Sequence, residues 1–124
     1  MSKRIKVNLQ RQVLFAYDGS QEVFKFDCAT GDQDHPTDPG QFTIFKKDRK
    51  HFSQKYKAQM DYAMFFTADG KAIHMSHAVG PISLLKYMGV NYFGSHGCVR
   101  LAEEDAKTLF AWTPMHTLVE ITAT

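Results

Sequence analysis

Cysteine is scarce, with two residues in 124, and this excludes the disulfide framework that staples many small secreted domains. Cys28 ends the strand-like run Val23-Phe24-Lys25-Phe26-Asp27-Cys28 and is read as a packed core thiol rather than as a partner of Cys98. An excess of one charge is also missing. Fifteen Lys and Arg against 13 Asp and Glu give a formal net charge of +2, too small and too scattered for a phosphate track, so no nucleic-acid partner is expected. The densest basic cluster, Lys46-Lys47-Asp48-Arg49-Lys50, reads as a solvated loop or strand edge. Long apolar runs are absent, which excludes a membrane-spanning helix. Met1-Ser2-Lys3-Arg4 leads into alternating Ile5, Val7 and Leu9 instead of the continuous apolar stretch of an export signal, so none is visible. What remains, 44% hydrophobic with 13% aromatic residues, suits one domain over residues 1–124 built on one core.

Strand signals dominate. Residues 5–9 alternate, residues 13–17 and 22–28 are rich in β-branched and aromatic side chains, and Asp18-Gly19-Ser20 between the last two is a hairpin turn. Residues 30–41 concentrate Gly, Asp, Pro and Thr and read as a loop. Phe42-Thr43-Ile44-Phe45, Ala63-Met64-Phe65-Phe66, Ala72-Ile73-His74-Met75 and Leu118-Val119-Glu120-Ile121 read as further strands, and the polar stretch from His51 to Gln59 as an insertion or flap. Helices are expected at two places. Ile82 to Met88 has Pro81 before it and Gly89 after it; Ala102 to Trp112 carries Glu103, Glu104 and Asp105 in its first turn and Ala106, Leu109 and Phe110 on one face. The sum is a mainly β domain with one or two helices packed beside its sheets.

The densest chemistry lies in Ser95-His96-Gly97-Cys98-Val99-Arg100-Leu101. A thiol must ionise to attack, and the imidazole at 96, the guanidinium at 100 and the helix start at Ala102 to Asp105 are each expected to favour the thiolate. Gly97 lets the backbone turn tightly, so that successive N–H groups converge on the oxyanion formed when a carbonyl is attacked. Cys98 is therefore read as a nucleophile rather than as one more buried small apolar residue. Arg100 suits bidentate carboxylate binding, with a surface ion pair to Glu103 or Glu104 as the alternative. Ser95 serves the turn or lines a pocket. Three histidines compete as base: His74 at the end of an apolar strand 24 residues before Cys98, His77 just beyond it, and His96 in the turn of the nucleophile itself. Spacing alone does not decide between them. His35, His51 and His116 are read as surface or structural imidazoles, and Tyr62, Tyr92 and Phe93 as core aromatics or cleft walls.

The heptapeptide resembles the signature of the L,D-transpeptidase catalytic domain family (YkuD-like). Other segments are similar too: the opening strand pair Ile5 to Leu9 and Val13 to Tyr17, Ala29-Thr30-Gly31, Pro36-Thr37-Asp38-Pro39-Gly40-Gln41-Phe42, Gly70-Lys71-Ala72-Ile73-His74, and Asp105-Ala106 with Leu109. The resemblance implies a β-sandwich of mixed sheets, a thioester route on peptidoglycan stem peptides as donor and acceptor, and a place in the cell envelope, reached after removal of a leader or by another route. It favours His74 as base, with the carbonyl of Met75 standing in for a third side chain, and Cys98, His96 and Gly97 as its catalytic companions. Ser95, Arg100 and His77 become substrate contacts. Water in place of an acceptor amine would make the chain an L,D-carboxypeptidase.

Two other classes compete. His74-x-x-His77 with His96-x-Cys98 offers zinc-type ligands, although zinc patterns more often use paired cysteines and Arg100 is an awkward neighbour for a cation, so no metal or cofactor is expected. A non-catalytic wall-binding module on the same fold is the third class, and retention of His74, Ser95, His96, Gly97, Cys98 and Arg100 together argues against it.

Overall fold

A computed structural model describes residues 2–31, 36–54, 58–75 and 97–124. The expected helix from Ile82 to Met88, together with His35, His77, Tyr92, Phe93, Ser95 and His96, lies outside the described residues.

Alternation of apolar and polar residues sets the first strands. In β1 (Lys3–Asn8) Ile5 and Val7 are fully buried while Arg4 and Lys6, which alternate with them, are not. β2 (Val13–Asp18) follows antiparallel, and Gly19, at φ +64°, turns the chain into β3 (Gln21–Ala29). The remaining strands are β4 (Gly40–Thr43), β5 (Lys46–Asp48), β6 (Phe52–Ser53), β7 (Ala58–Gln59), β8 (Ala63–Phe65), β9 (Ala72–Met75), β10 (Val99–Leu101) and β11 (Leu118–Thr122), with helix α1 (Glu103–Trp112) between the last two. Among the described residues nine strands form one sheet, in the order β4-β11-β1-β2-β3-β10-β9-β8-β5. It is mixed: β1 with β11 and β9 with β10 run parallel, and the other pairs run antiparallel.

β3 is the hinge of this sheet. Its residues from Gln21 to Asp27 pair with β2, and its last two, Cys28 and Ala29, pair with β10. The sheet curls there, so that Ile5, Val7, Leu14, Val119 and Ile121 of one half meet Met64, Ile73, Met75, Val99 and Leu101 of the other in a common core. This is the expected mainly β architecture, a sandwich made by folding one mixed sheet. Cys28 is fully buried in the core and unbonded to Cys98; both cysteines are thiols.

Ala106 and Leu109 bury one face of α1 against β9 and β10, and Trp112 meets Phe24 edge-on at 5.7 Å. The helix has three acids in its first turn and no base in its last. Cations for its carbonyl end come instead from the sheet. Lys47 Nζ donates to the carbonyls of Phe110 and Thr113, at 2.6 Å each, and Lys3 Nζ donates to Trp112 at 2.9 Å. Lys47 is thereby desolvated, which pushes its pKa below the usual lysine value. Lys47→Met keeps the stem and loses two charge-assisted hydrogen bonds, so equilibrium urea unfolding should show a loss of about 1–3 kcal/mol; an unchanged midpoint would mean that water caps the helix equally well.

The stretch from His51 to Gln59, expected as an insertion or flap, carries β6 and β7, which form a separate two-stranded sheet pairing Phe52 with Gln59 and Ser53 with Ala58. One expectation needs correction. The strand expected over Phe42 to Phe45 begins earlier, at Gly40, and ends at Thr43. Ile44 leaves it because its backbone is claimed elsewhere: its N–H donates to Thr117 and its carbonyl accepts from His116, which turns the fully buried side chain into the core. The basic cluster does form a strand edge, since β5 ends the nine-stranded sheet.

Candidate active site

The pleat of β8, β9 and β10 separates two sets of side chains. Met64, Ile73, Met75, Val99 and Leu101 enter the main core, whereas Ala63, Phe65, Ala72 and Cys98 gather with Met60 in a second, smaller cluster on the opposite face. β10 lies parallel to β9 with Val99 opposite Ile73 and Arg100 opposite His74. By alternation His74 and Arg100 therefore share the face of Ala72 and Cys98. One strand spacing and two residues of rise separate the Cα atoms of Cys98 and His74 by about 8 Å, a span that two inward-leaning side chains bridge.

Cys98 is 3% exposed, and its Sγ accepts the backbone N–H of Ala72 at 3.4 Å. Burial pushes the Cys98 thiol above its ordinary value; the Ala72 N–H, the Arg100 guanidinium and the Lys71 ammonium pull it back in part, and Asp69 adds to the rise. The arginine acts in the direction expected of it, but desolvation dominates. Such a thiol reacts only when something takes its proton.

His74 is 5% exposed and its Nδ1 lies 2.8 Å from the carbonyl oxygen of Met75. A carbonyl only accepts, so Nδ1 carries the proton, and in the neutral ring Nε2 is then the basic nitrogen. The backbone of the residue after the histidine fixes both tautomer and ring orientation, and a buried thiol and a buried imidazole occupy one face of one strand pair.

Gly97 has φ +94°, a conformation that L side chains rarely adopt, and a Cβ there would stand 2.5 Å from Lys71 Cε and 3.2 Å from the Pro36 carbonyl. Its carbonyl accepts from Thr37 Oγ1 at 2.8 Å. Lys71, with 17% of its side chain exposed, lies across the glycine and reaches the carboxylates of Asp38 at 3.6 Å and Asp69 at 3.7 Å. Thr67 Oγ1 accepts the Lys71 N–H at 2.9 Å and anchors the turn that carries the lysine. Lys71→Met preserves the stem over Gly97 and deletes the charge that favours the thiolate. The midpoint of Cys98 alkylation against pH should therefore move to higher pH, and the rate at neutral pH should fall; an unmoved midpoint would remove Lys71 from the electrostatics of the thiol.

The structure thus brings together four of the residues singled out in the sequence, Cys98, Gly97, His74 and Arg100; Ser95, His96 and His77 lie outside the described residues. It adds Thr37, Lys71 and the Ala72 N–H. Thr37 and Lys71 stand within the segments that carry the family resemblance, but no local spacing ties either to Cys98. Thr37 and Gly97 are 60 residues apart and meet only through the fold.

Comparison with known proteins bears on this arrangement. The family model described as the L,D-transpeptidase catalytic domain, YkuD, matches residues 2–121. An L,D-transpeptidase from Stackebrandtia nassauensis superposes with a TM-score of 0.86 at 28% identity, covering 100% of this chain and 57% of that one. A mutant of the Enterococcus faecium L,D-transpeptidase gives 0.81 at 23% identity, over 98% of this chain and 50% of that one. An L,D-transpeptidase from Mycobacterium smegmatis gives 0.80 at 17%, over 98% and 59%. The chain thus spans between half and three fifths of the length of these solved relatives. A search of the curated proteins finds no match. With the family model running through nearly every residue and the same fold in solved members, the chain belongs to the L,D-transpeptidase catalytic domain family.

Proposed function

We propose that this chain is a cysteine acyltransferase of the cell envelope that cleaves an L,D-peptide bond in peptidoglycan stem peptides and joins the acyl group to an acceptor amine. The observation that carries the reading is the common face of β9 and β10, on which a buried thiol and a buried, tautomer-fixed imidazole lie in neighbouring strands. Family membership supports the substrate class.

In this mechanism His74 Nε2 takes the proton of Cys98, and Sγ attacks the carbonyl of the L-centre that precedes a terminal D-amino acid. The backbone N–H of Cys98 and its neighbours in the turn receive the oxyanion. The intermediate collapses by breaking the C–N bond, and the proton held on His74 passes to the departing D-amino acid. An acceptor amine then attacks the thioester, gives up its own proton and returns the thiol. Arg100, on the same face, binds the carboxylate of the stem peptide. From the sequence, His96 and Ser95 complete the turn and His77 contacts substrate.

Incubation of the purified chain with defined tetrapeptide stems, followed by mass spectrometry, tests the reading. A cross-linked dimer is expected. Tripeptide without dimer would make the chain a hydrolytic L,D-carboxypeptidase, and unchanged stems together with retained wall binding would make it a binding module. A family member was solved in complex with imipenem, at 18% identity to this chain, and another as an avibactam carbamoyl enzyme, at 24%. Imipenem is accordingly a suitable acylating probe for Cys98.

A further inference from the structure

We infer that Thr37 is a positioning residue for the oxyanion: its hydroxyl, held by the Gly31 N–H, pins the carbonyl of Gly97 and so aims the N–H of Cys98 at the reacting carbonyl. The inference rests on the acyl-transfer reading above and names a residue that contributes to it from outside the signature heptapeptide.

The direction of the two hydrogen bonds follows from their partners. Gly31 N–H can only donate, and it donates to Thr37 Oγ1 at 2.8 Å. Gly97 C=O can only accept, and it accepts from the same Oγ1 at 2.8 Å. The single hydroxyl proton of Thr37 is therefore committed to Gly97. Thr37 is 4% exposed, so water does not readily replace it in this role.

Peptide planarity carries the effect to the nucleophile. The carbonyl of Gly97 and the N–H of Cys98 belong to one peptide unit, and in a trans unit they point in opposite directions. Fixing the oxygen on the Thr37 side sends the N–H out of the other edge of the plane. Glycine at φ +94° is free to swing this plane, so a tie is needed where the backbone itself supplies no stiffness. Lys71 closes over the Cα of Gly97, and the Pro36 carbonyl stands beside it.

The tie continues to the turn between the first two strands. Gln12, in the turn between β1 and β2, donates through Nε2 to Thr30 Oγ1 at 2.6 Å and accepts the Thr30 N–H through Oε1 at 3.0 Å. Both polar ends of one side chain thus fix the residue before Gly31. The path runs from Gln12 through Thr30, Gly31 and Thr37 to Gly97, and its far end is the turn that joins β1 to β2.

The test separates chemistry that forms an oxyanion from chemistry that does not. Imipenem acylates through attack on a carbonyl, whereas iodoacetamide alkylates Cys98 by displacement and places no charge on an oxygen. Thr37→Val and Thr37→Ala should slow acylation by about 10- to 100-fold, less than the 10²–10³ lost when an oxyanion donor is removed outright. Alkylation of Cys98 in the same proteins should stay within about twofold, and Thr37→Ser should restore acylation. With a stem peptide the loss should fall on kcat and leave KM nearly unchanged. Using two variants guards against one that does not fold, and the thermal midpoint of each identifies it. Equal loss of acylation and alkylation in a folded variant would overturn the inference, because Thr37 would then serve the thiol or the fold. Unchanged acylation would overturn it too. A wild-type chain that is alkylated but never acylated would overturn the proposed function itself, which no result with the Thr37 variants imitates.

Discussion

Cys98→Ala should reduce product formation from tetrapeptide stems to background, a fall of roughly 10⁴-fold or more, because the proposed acyl intermediate is a thioester on Cys98. The same variant should give no imipenem adduct by intact-protein mass spectrometry, where the parent chain should give a single one. Stability should change little. Among the described buried hydrophobics Cys98 clusters with Met60, Ala63, Phe65 and Ala72, and removing one sulfur atom from this small cluster costs about 1 kcal/mol. It also removes a thiol whose ionised form burial disfavours. Alkylation of the native protein should distinguish the two cysteines. Cys28 is 0% exposed at the junction of β2, β3 and β10, where a reagent arrives only if the sandwich opens, whereas Cys98 faces away from that core. Equal labelling of both, or turnover surviving in Cys98→Ala, would move the nucleophile elsewhere.

Much of this geometry was legible before any coordinates, and the reason is local. Ile5 and Val7 against Arg4 and Lys6 announce a half-buried strand, and Glu103 to Asp105 before Ala106 and Leu109 announce a helix with its charged end first. The heptapeptide around Cys98 is legible because its reactive side chains are neighbours in the chain. β6 and β7 are not legible: two-residue strands are too short to show a period, and their open end is closed by hydrogen bonds from Met60 N–H to His51 and from Tyr62 N–H to Arg49, which no local pattern announces. Nor is the register that sets Arg100 opposite His74, because a parallel pair carries no hairpin to fix it. The state of the thiol is only half legible for a related reason. Sequence displays the charges near Cys98 but not its burial, and burial is the larger effect.

His74→Gln should lower acylation by roughly 10²- to 10⁴-fold, the usual worth of a positioned acid–base group, and should abolish the limb of the pH–rate profile that the base controls. A cysteine held neutral by burial needs a partner for its proton, and Nε2 of a ring whose Nδ1 is tied to the Met75 carbonyl at 2.8 Å is oriented for that exchange on the face where Cys98 lies. Glutamine fills similar space and can hydrogen-bond, but it does not carry a proton from thiol to leaving amine. Alkylation at high pH, where solvent removes the thiol proton, should approach the parent rate in this variant, so that the deficit is confined to pH values at which a base is required. His96→Gln, if His96 mainly shapes the turn of the nucleophile, should slow turnover at every pH and leave that limb in place. A limb lost only in His96→Gln would reverse the two roles. One lost only in His77→Gln would assign the base to the second histidine of the segment and leave the His74–Met75 contact as structure.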